Sequence, residues 1–413
     1  MKKDRWTILT HIWTHFDEYV AMALIYLLGE HAGIGSVFDD AIIQRIDAGS
    51  PLPKRLSQTD WKAERIIPIG IWGNYGPFDE HDKRYRGTRI SAASLAAEFF
   101  SPHVNAVYTK RIASLVEYAT RIDCVGGSTK LSMAHIIKTM NWMGDEDITA
   151  AWALTGIMTY LAFGDPEEKM FDLNTIGSLM QDDAGKVWLV QAYTAIDWEK
   201  AHFEKAVQDL KGKREGIRCE KTSDGYRIVS VESDNPLMQR AVMAFLKPDI
   251  GIVRNAITGQ VSIVTRSDDT RLPIDLTGVA RAINSEELKA RGRAQPDLFK
   301  NLSPDSQQVP GSVWSFQKGL KYPMLLNGGC SAPNVPPTQL STELIAKIVR
   351  TALDKQYFPT LEADSYHCDG LSCVSSRKKP CPFWNYGLPR CQQIRFRKYQ
   401  QQMTPSTKVC QPV

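Results

Sequence analysis

The chain has 413 residues, of which 43% are hydrophobic and 23% charged, values ordinary for a folded globular protein that exclude disordered, collagen-like and membrane-embedded classes. The length exceeds what one hydrophobic core usually supports, so two domains with a small appendage are expected. A formal net charge of +4 does not mark the chain as a whole as a nucleic-acid binder, although its basic residues crowd one C-terminal stretch.

At the N-terminus Lys2, Lys3 and Arg5 are followed by His11, His15, Asp17 and Glu18 rather than by the apolar core of an export signal. The most apolar stretches, residues 19–29 and 149–164, are shorter than the roughly 20 residues that cross a bilayer, and read as buried helices. A cytoplasmic protein with no membrane partner is therefore expected. In a reducing compartment its eight cysteines point to metal rather than to a disulfide framework.

In chain order, a strand is expected over residues 6–11, running through a polar turn into an apolar helix over 19–30. Polar residues between a strand end and a helix mark the usual active edge of a parallel α/β sheet. An Ile-rich run over 65–72, closed by Gly73-Asn74-Tyr75-Gly76-Pro77, reads as a second buried strand. Helical spacing covers 91–100 and 107–120, with Asp123 falling just past the second helix, and residues 128–213 are almost wholly helical in pattern. Strand alternation returns over 226–231, 249–254 and 260–265, with Ile257-Thr258-Gly259 as a turn. A stretch rich in Pro, Gly, Asn and Ser leads to a helix over 341–354, with Ser341 as its N-cap and Glu343 in its first turn. No internal repeat is visible. The fold class is α/β, with boundaries expected near residues 127, 220 and 340.

Three clusters carry chemistry. Thr10-His11-Ile12-Trp13-Thr14-His15-Phe16-Asp17-Glu18 places two imidazoles and a carboxylate in one turn, where His11, His15 and Asp17 can converge on one ion. Mn²⁺, Fe²⁺ and Zn²⁺ accept mixed His and carboxylate ligands and activate bound water near neutral pH. Phe78-Asp79-Glu80-His81-Asp82 follows the second strand, and alone would be a solvated acidic loop. Asp123, ahead of Gly126 and Gly127, alone would belong to a helix-terminating loop.

Taken together, these clusters resemble the DHH phosphoesterase superfamily, and most closely its Myg-type exonuclease-like branch. His11 followed by His15-Phe16-Asp17 keeps the spacing of the first motif, with His in place of the first Asp, and His15-Phe16-Asp17-Glu18 is similar to the His-x-Asp-Glu of the Myg-type branch. Asp79-Glu80-His81 looks like the Asp-His-His signature with Glu80 replacing the first His, and Thr88-Arg89-Ile90-Ser91-Ala92-Ala93 is similar to the helix start that follows it. Asp123 looks like the fourth-motif Asp. The second-motif Asp would align near Gly70, where no ligand exists, unless Asp39 or Asp40 supplies it. Gln260 to Ser267, with Ile274 to Arg281, is similar to the strand and helix of the associated substrate domain, in which Arg266 would hold a phosphate bidentately. The Gly-rich loop of that domain is absent, with Asn327-Gly328-Gly329 the nearest glycine pair.

The resemblance implies a parallel-sheet DHH-like catalytic domain over residues 1–127, a helical insertion or bridge over 128–220, a smaller α/β substrate domain over 221–340, and a C-terminal helix with a Cys-rich metal module over 341–413. It implies Mn²⁺ or another divalent ion held by His11, His15, Asp17, Asp79, Glu80 and Asp123. Asp79, His81 and Arg266 would then be the catalytic groups.

Outside that pattern, Cys368, Cys373, Cys381 and Cys391 are separated by four, seven and nine residues, a clustering suited to Zn²⁺ or an iron–sulfur cluster. They lie among Arg377, Lys378, Lys379, Arg390, Arg395 and Arg397, with Phe383, Trp384 and Tyr386 between. Such a basic and aromatic segment suits single-stranded nucleic acid. The expected function is therefore metal-dependent phosphodiester hydrolysis, exonuclease-like and acting on single-stranded nucleic acid. The alternatives are a small-nucleotide phosphatase or phosphodiesterase, and a catalytically degenerate nucleic-acid-binding protein.

Overall fold

A computed structural model describes residues 5–34, 41–48, 61–71, 77–81, 85, 88–181, 183–212, 216–223, 225–266, 274–292, 312–317 and 323–354. Asp39, Asp40 and the Cys-rich segment with Cys368, Cys373, Cys381 and Cys391 lie outside the described residues. The chain is mixed α/β and divides into two units, Met1–Ala201 with Cys330–Asn334 and His202–Gly329 with Val335–Val413.

The first unit is built on a three-stranded sheet of β1 (Thr7–His11), β2 (Ile42–Ile46) and β3 (Ile66–Pro68), in the order β2-β1-β3. Both pairings are parallel, so β1 is central and its residues 8–11 are buried. The second expected strand is shorter than its apolar run. Ile69 still donates to the Leu9 carbonyl but otherwise makes an isolated parallel bridge to Phe78, and Gly70 turns the backbone to a φ of +61°. That bridge lays the Asp79-Glu80-His81 segment beside the carboxyl end of the sheet. Strand β2 is an addition to the expected elements, because Gln44 and Arg45 break the alternation of a half-exposed edge strand.

Helix α1 (Phe16–Leu28) leaves β1 through a short turn and is buried on every side from Phe16 to Ile25, as its apolar run from Tyr19 requires, with Asp17 and Glu18 buried along with it. Around it pack α2 (Ala92–Phe100), α3 (Ala106–Val125), α4 (Met133–Met143), α5 (Glu146–Phe163), α6 (Leu173–Ser178) and the first part of α7 (Ala184–Gly212). Side chains of Ser91, Asn105, Ser132, Asp145 and Asp172 cap helices α2 to α6 in order. Trp152 and Trp188 stack at 4.4 Å, each indole donating to the other's carbonyl, and tie α5 to α7. Asp123 lies in the last turn of α3 rather than beyond it, because the helix continues until Gly126 takes a φ of +78°.

The second unit holds a six-stranded sheet of β4 (Ile217–Lys221), β5 (Arg227–Ser233), β6 (Ile250–Asn255), β7 (Val261–Thr265), β8 (Ser315–Gln317) and β9 (Met324–Asn327), ordered β4-β5-β6-β7-β9-β8. Only β5 and β6 pair in parallel. Strand alternation sends Ile228, Ile250 and Ile252 into a core with α9 (Thr277–Ala290) and α10 (Thr342–Leu353). Val229, Val231 and Val253 face a second core with the end of α7 and with α8 (Met238–Ala241). Among the described residues no helix is long and apolar enough to cross a membrane.

Candidate metal centre

His11 is the last residue of β1, at the carboxyl edge of the parallel sheet. Its Nδ1 donates to the Ile12 carbonyl at 2.8 Å, which fixes the ring and turns Nε2 onto Glu18 Oε1, also at 2.8 Å. The turn that follows is held from three directions. Thr14 Oγ1 donates to the His11 carbonyl, Asn141 Nδ2 to the Thr14 carbonyl, and the Trp13 amide to Glu146 Oε1. Trp13 takes a φ of +68°, a conformation bulky residues avoid, and its ring meets Trp142 edge-on at 4.4 Å. The strained residue therefore sits between the two histidines.

His15 caps α1 from an exposed position, its ring centroid 5.0 Å from that of His11. One turn on, Asp17 and Glu18 are both buried. Asp17 Oδ2 accepts from the Ala92 amide at the start of α2, at 3.2 Å, where the positive end of the helix dipole favours an anion. Glu18 reaches back as in a capping box, Oε2 accepting from the His15 amide at 2.6 Å.

The second cluster arrives from beyond β3. Buried Asp79 accepts from the His81 amide at 3.0 Å, and His81 Nδ1 lies 3.4 Å from Asp79 Oδ1 and 3.3 Å from Glu80 Oε1. Glu80 Oε2 is buried and has no hydrogen-bond partner among the described residues. Candidate ligand atoms lie within 4.8 Å of one another in four groups. These are His11, His15 and Glu18; Asp17, Glu18 and Glu80; His15, Asp17 and Asp123; and Asp79, Glu80 and His81.

The electrostatics follow from this crowding. Burial, then the charges of Glu18, Asp123 and Glu80, push the Asp17 carboxyl well above the usual range. Burial also drives Glu80 up to about 8, with His81 opposing and Glu18 adding to the rise. For Glu18 burial pulls the same way, but the His11 and His15 imidazoles and their hydrogen bonds outweigh it and hold the carboxyl at about 2. His11 is the converse: burial lowers it, and Glu18 raises it further, to about 9. A buried group of carboxylates with an orphan oxygen and two imidazoles at its rim is a donor set that fits a hard or borderline divalent cation.

Of the residues singled out from sequence, His11, His15, Asp17, Asp79, Glu80, His81 and Asp123 thus come together in the first unit. Glu18 is the residue that sequence reasoning missed, although its place three residues after the His15 cap is a readable capping-box signal. Arg266 belongs to the second unit, where its guanidinium pairs with Asp249 and lies 6.0 Å from the Tyr226 ring centre.

No protein-family model matches the sequence, and no curated relative matches it. Among solved structures, the chain is similar to the DHH domain of a member of a ribosomal-protein family, at 13% identity and a TM-score of 0.37, covering 78% of this chain and 82% of that one. It is also similar to a pGpG-specific phosphodiesterase from Vibrio cholerae, at 11% identity and a TM-score of 0.36, covering 70% of this chain and 88% of that one.

Proposed function

We propose that this chain is a divalent-metal-dependent phosphoesterase of the DHH type that hydrolyses phosphodiester bonds in nucleotides or single-stranded nucleic acid, in an exonuclease-like manner. The observation that carries the reading is the convergence of His11, His15 and Asp17, Asp79-Glu80-His81, and Asp123 from three separated segments into overlapping groups of candidate ligands, two of which include Glu80, whose buried Oε2 has no hydrogen-bond partner among the described residues. Sequence order and chemistry point the same way.

His11, His15, Asp17, Glu80 and Asp123 would hold the ion, with Mn²⁺ the first candidate. Such an ion supplies Lewis acidity, lowers the pKa of water and neutralises phosphate charge. The rest is the work of the chain. Asp79 orients His81 through its amide and ring, and His81 presents a partly exposed imidazole that can donate to a phosphoryl oxygen as negative charge develops there. The amide at the start of α2 fixes the Asp17 carboxylate in place. Arg266 is proposed to anchor a phosphate of the substrate, exchanging part of its pairing with Asp249 for that anion.

The test is hydrolysis of labelled single strands, short linear dinucleotides and bis-p-nitrophenyl phosphate by metal-stripped protein with and without Mn²⁺. Mn²⁺-dependent cleavage lost in a folded Asp17→Ala variant is the expected result. A variant that keeps full activity and metal content would refute the assignment, as would a wild-type protein inert on all three substrates.

A further inference from the structure

We infer that Glu18 is a metal ligand shared between two cation positions, and that it stands in for the carboxylate missing at Gly70. The inference rests on the metal-dependent reading above and adds to it the number of ions and the residue that joins them.

Gly70 follows β3 at the carboxyl edge of the sheet, where the motif order calls for an aspartate. A Cβ built on Gly70 would lie 2.5 Å from Glu18 Oε1, 2.8 Å from its Cγ and 3.1 Å from its Cδ. The carboxylate of Glu18 therefore fills the space into which any side chain at position 70 would grow. A ligand has changed its place in the sequence while keeping its place in space, and the glycine is what makes room for it.

Its two oxygens are separately engaged, Oε1 with His11 Nε2 and Oε2 with the His15 amide. The same carboxylate belongs to both the His11, His15 and Glu18 group and the Asp17, Glu18 and Glu80 group. One carboxylate shared by two donor sets is the arrangement of a bridged two-metal site, which clamps the attacking and leaving oxygens of a phosphoryl displacement. An independent observation points to a ligand there. The Glu80 side chain is 8% exposed and offers a carboxylate oxygen within 4.8 Å of ligand atoms of Asp17 and Glu18, and its Oε2 has no hydrogen-bond partner among the described residues. Leaving such an oxygen bare among carboxylates is costly unless a cation completes it.

The test counts metal and does not depend on catalysis. Full-length protein, stripped and then equilibrated with Mn²⁺, is desalted for metal analysis and examined by electron paramagnetic resonance for spin coupling between the ions. Wild type is expected to hold two coupled Mn²⁺. Glu18→Gln keeps an oxygen for the His15 amide but loses the charge, and should hold at most one ion, with Mn²⁺ affinity reduced at least roughly tenfold, the loss that even an outer-shell partner produces. Glu18→Ala combined with Gly70→Asp should regain two. Aspartate is among the few side chains that tolerate the +61° φ at this position, and the space is then empty. Two coupled ions at unchanged affinity in Glu18→Gln would overturn the inference and leave the phosphoesterase reading standing, as would a double variant no better than Glu18→Ala alone. A wild type that binds no Mn²⁺ would overturn the metal-dependent reading itself. Circular dichroism checks folding, and if Glu18→Ala does not fold, Glu18→Gln and the double variant decide.

Discussion

Replacing Gly70 by alanine tests the contact with Glu18 directly, and Gly33 supplies the control. Both glycines have positive φ, +61° and +71°, so either alanine meets backbone strain of about 1–2 kcal/mol, partly offset by the stiffer unfolded chain. At Gly33 nothing lies within 4 Å of the added methyl, and that is the whole effect. At Gly70 the methyl meets Glu18 Oε1 at 2.5 Å, and that oxygen must leave its bond to His11. Losing one hydrogen bond to a charged group costs about 1.5–3 kcal/mol, and forcing the side chain off its rotamer about 0.5–1.5 kcal/mol more. The excess of Gly70→Ala over Gly33→Ala is then roughly 2–4 kcal/mol, or roughly 5–15 °C in Tm at about 2–4 °C per kcal/mol for a cooperative unit of this size. Thermal melts in chelator read it. In a Glu18→Ala background the excess should vanish, because the side chain that collides is gone. Equal melting points for the two alanine variants, or an excess that survives removal of Glu18, would refute the reasoning.

Three further outcomes follow from the geometry. In metal-free protein Glu80 is raised from 4.5 to about 8 and His11 from 6.5 to about 9, so the folded state holds more protons than the unfolded one and stability falls as pH rises from about 4.5 to about 9. Glu18, depressed to about 2, contributes stability that is complete above 4.5 and adds no slope in that window. Melting in chelator should therefore drop between pH 6 and pH 8.5, with Mn²⁺ stabilising more at the higher pH; a flat or rising profile would contradict this. In the second unit, fully buried Glu287 accepts from Arg291 Nε, Trp314 Nε1, Thr338 Oγ1 and the Gln339 amide, so Glu287→Ala should cost about 3–5 kcal/mol in urea unfolding, against a surface-like change of under about 1 kcal/mol if the hub is dispensable. Deleting residues 360–413, with their four clustered cysteines and basic and aromatic side chains, should weaken binding of long single strands and flatten its salt dependence while sparing cleavage of a short activated phosphodiester. Unchanged long-strand affinity would remove the nucleic-acid role of that segment.

Much of the first unit is legible in the sequence because its signals are local. The apolar run of α1 follows a polar turn, and in the second unit α10 likewise begins one residue after the Ser341 cap. Asp123 reads as lying outside its helix because apolar spacing fades before the helix ends, and the terminator is Gly126. Strands β2, β4, β8 and β9 escape a local reading for another reason. β8 and β9 have three and four residues, and β2 and β4 carry Gln44 and Arg45, and Arg218 and Glu220, so their pairing is supplied by neighbours distant in sequence. Glu18 is the most instructive omission. In sequence it appears only as the last residue of the His15-Phe16-Asp17-Glu18 motif, ahead of the expected helix, whereas in the structure it is the third residue of α1 and accepts from the His15 amide. Its other oxygen meets His11, and its flank covers Gly70, fifty-two positions away in the chain, a closeness that no local pattern encodes.

The cost of burying these carboxylates bears on whether the cluster has a structural or a functional origin. Asp17, Glu18 and Asp79 each find a backbone amide, so each could be explained as a cap or a turn anchor that happens to be buried. Capping needs one acceptor per helix end, and it gives no reason to bring Glu80 against Asp17 and Glu18. Yet Glu80 is there, nearly covered, with one oxygen beyond the reach of any donor among the described residues. Its Oε1 lies 3.3 Å from His81 Nδ1, but Oε2 has no such neighbour, and an unpaired buried carboxyl oxygen is costly to a fold even when the group is protonated. The same crowding becomes favourable once a divalent cation sits among the carboxylates, because each then loses its neighbours' repulsion and the orphan oxygen gains a partner. On the metal-dependent reading proposed above, stability is conceded at one edge of the sheet to keep a place for positive charge, and that edge is where the strand ends, the strained Trp13 turn and the start of α2 all meet.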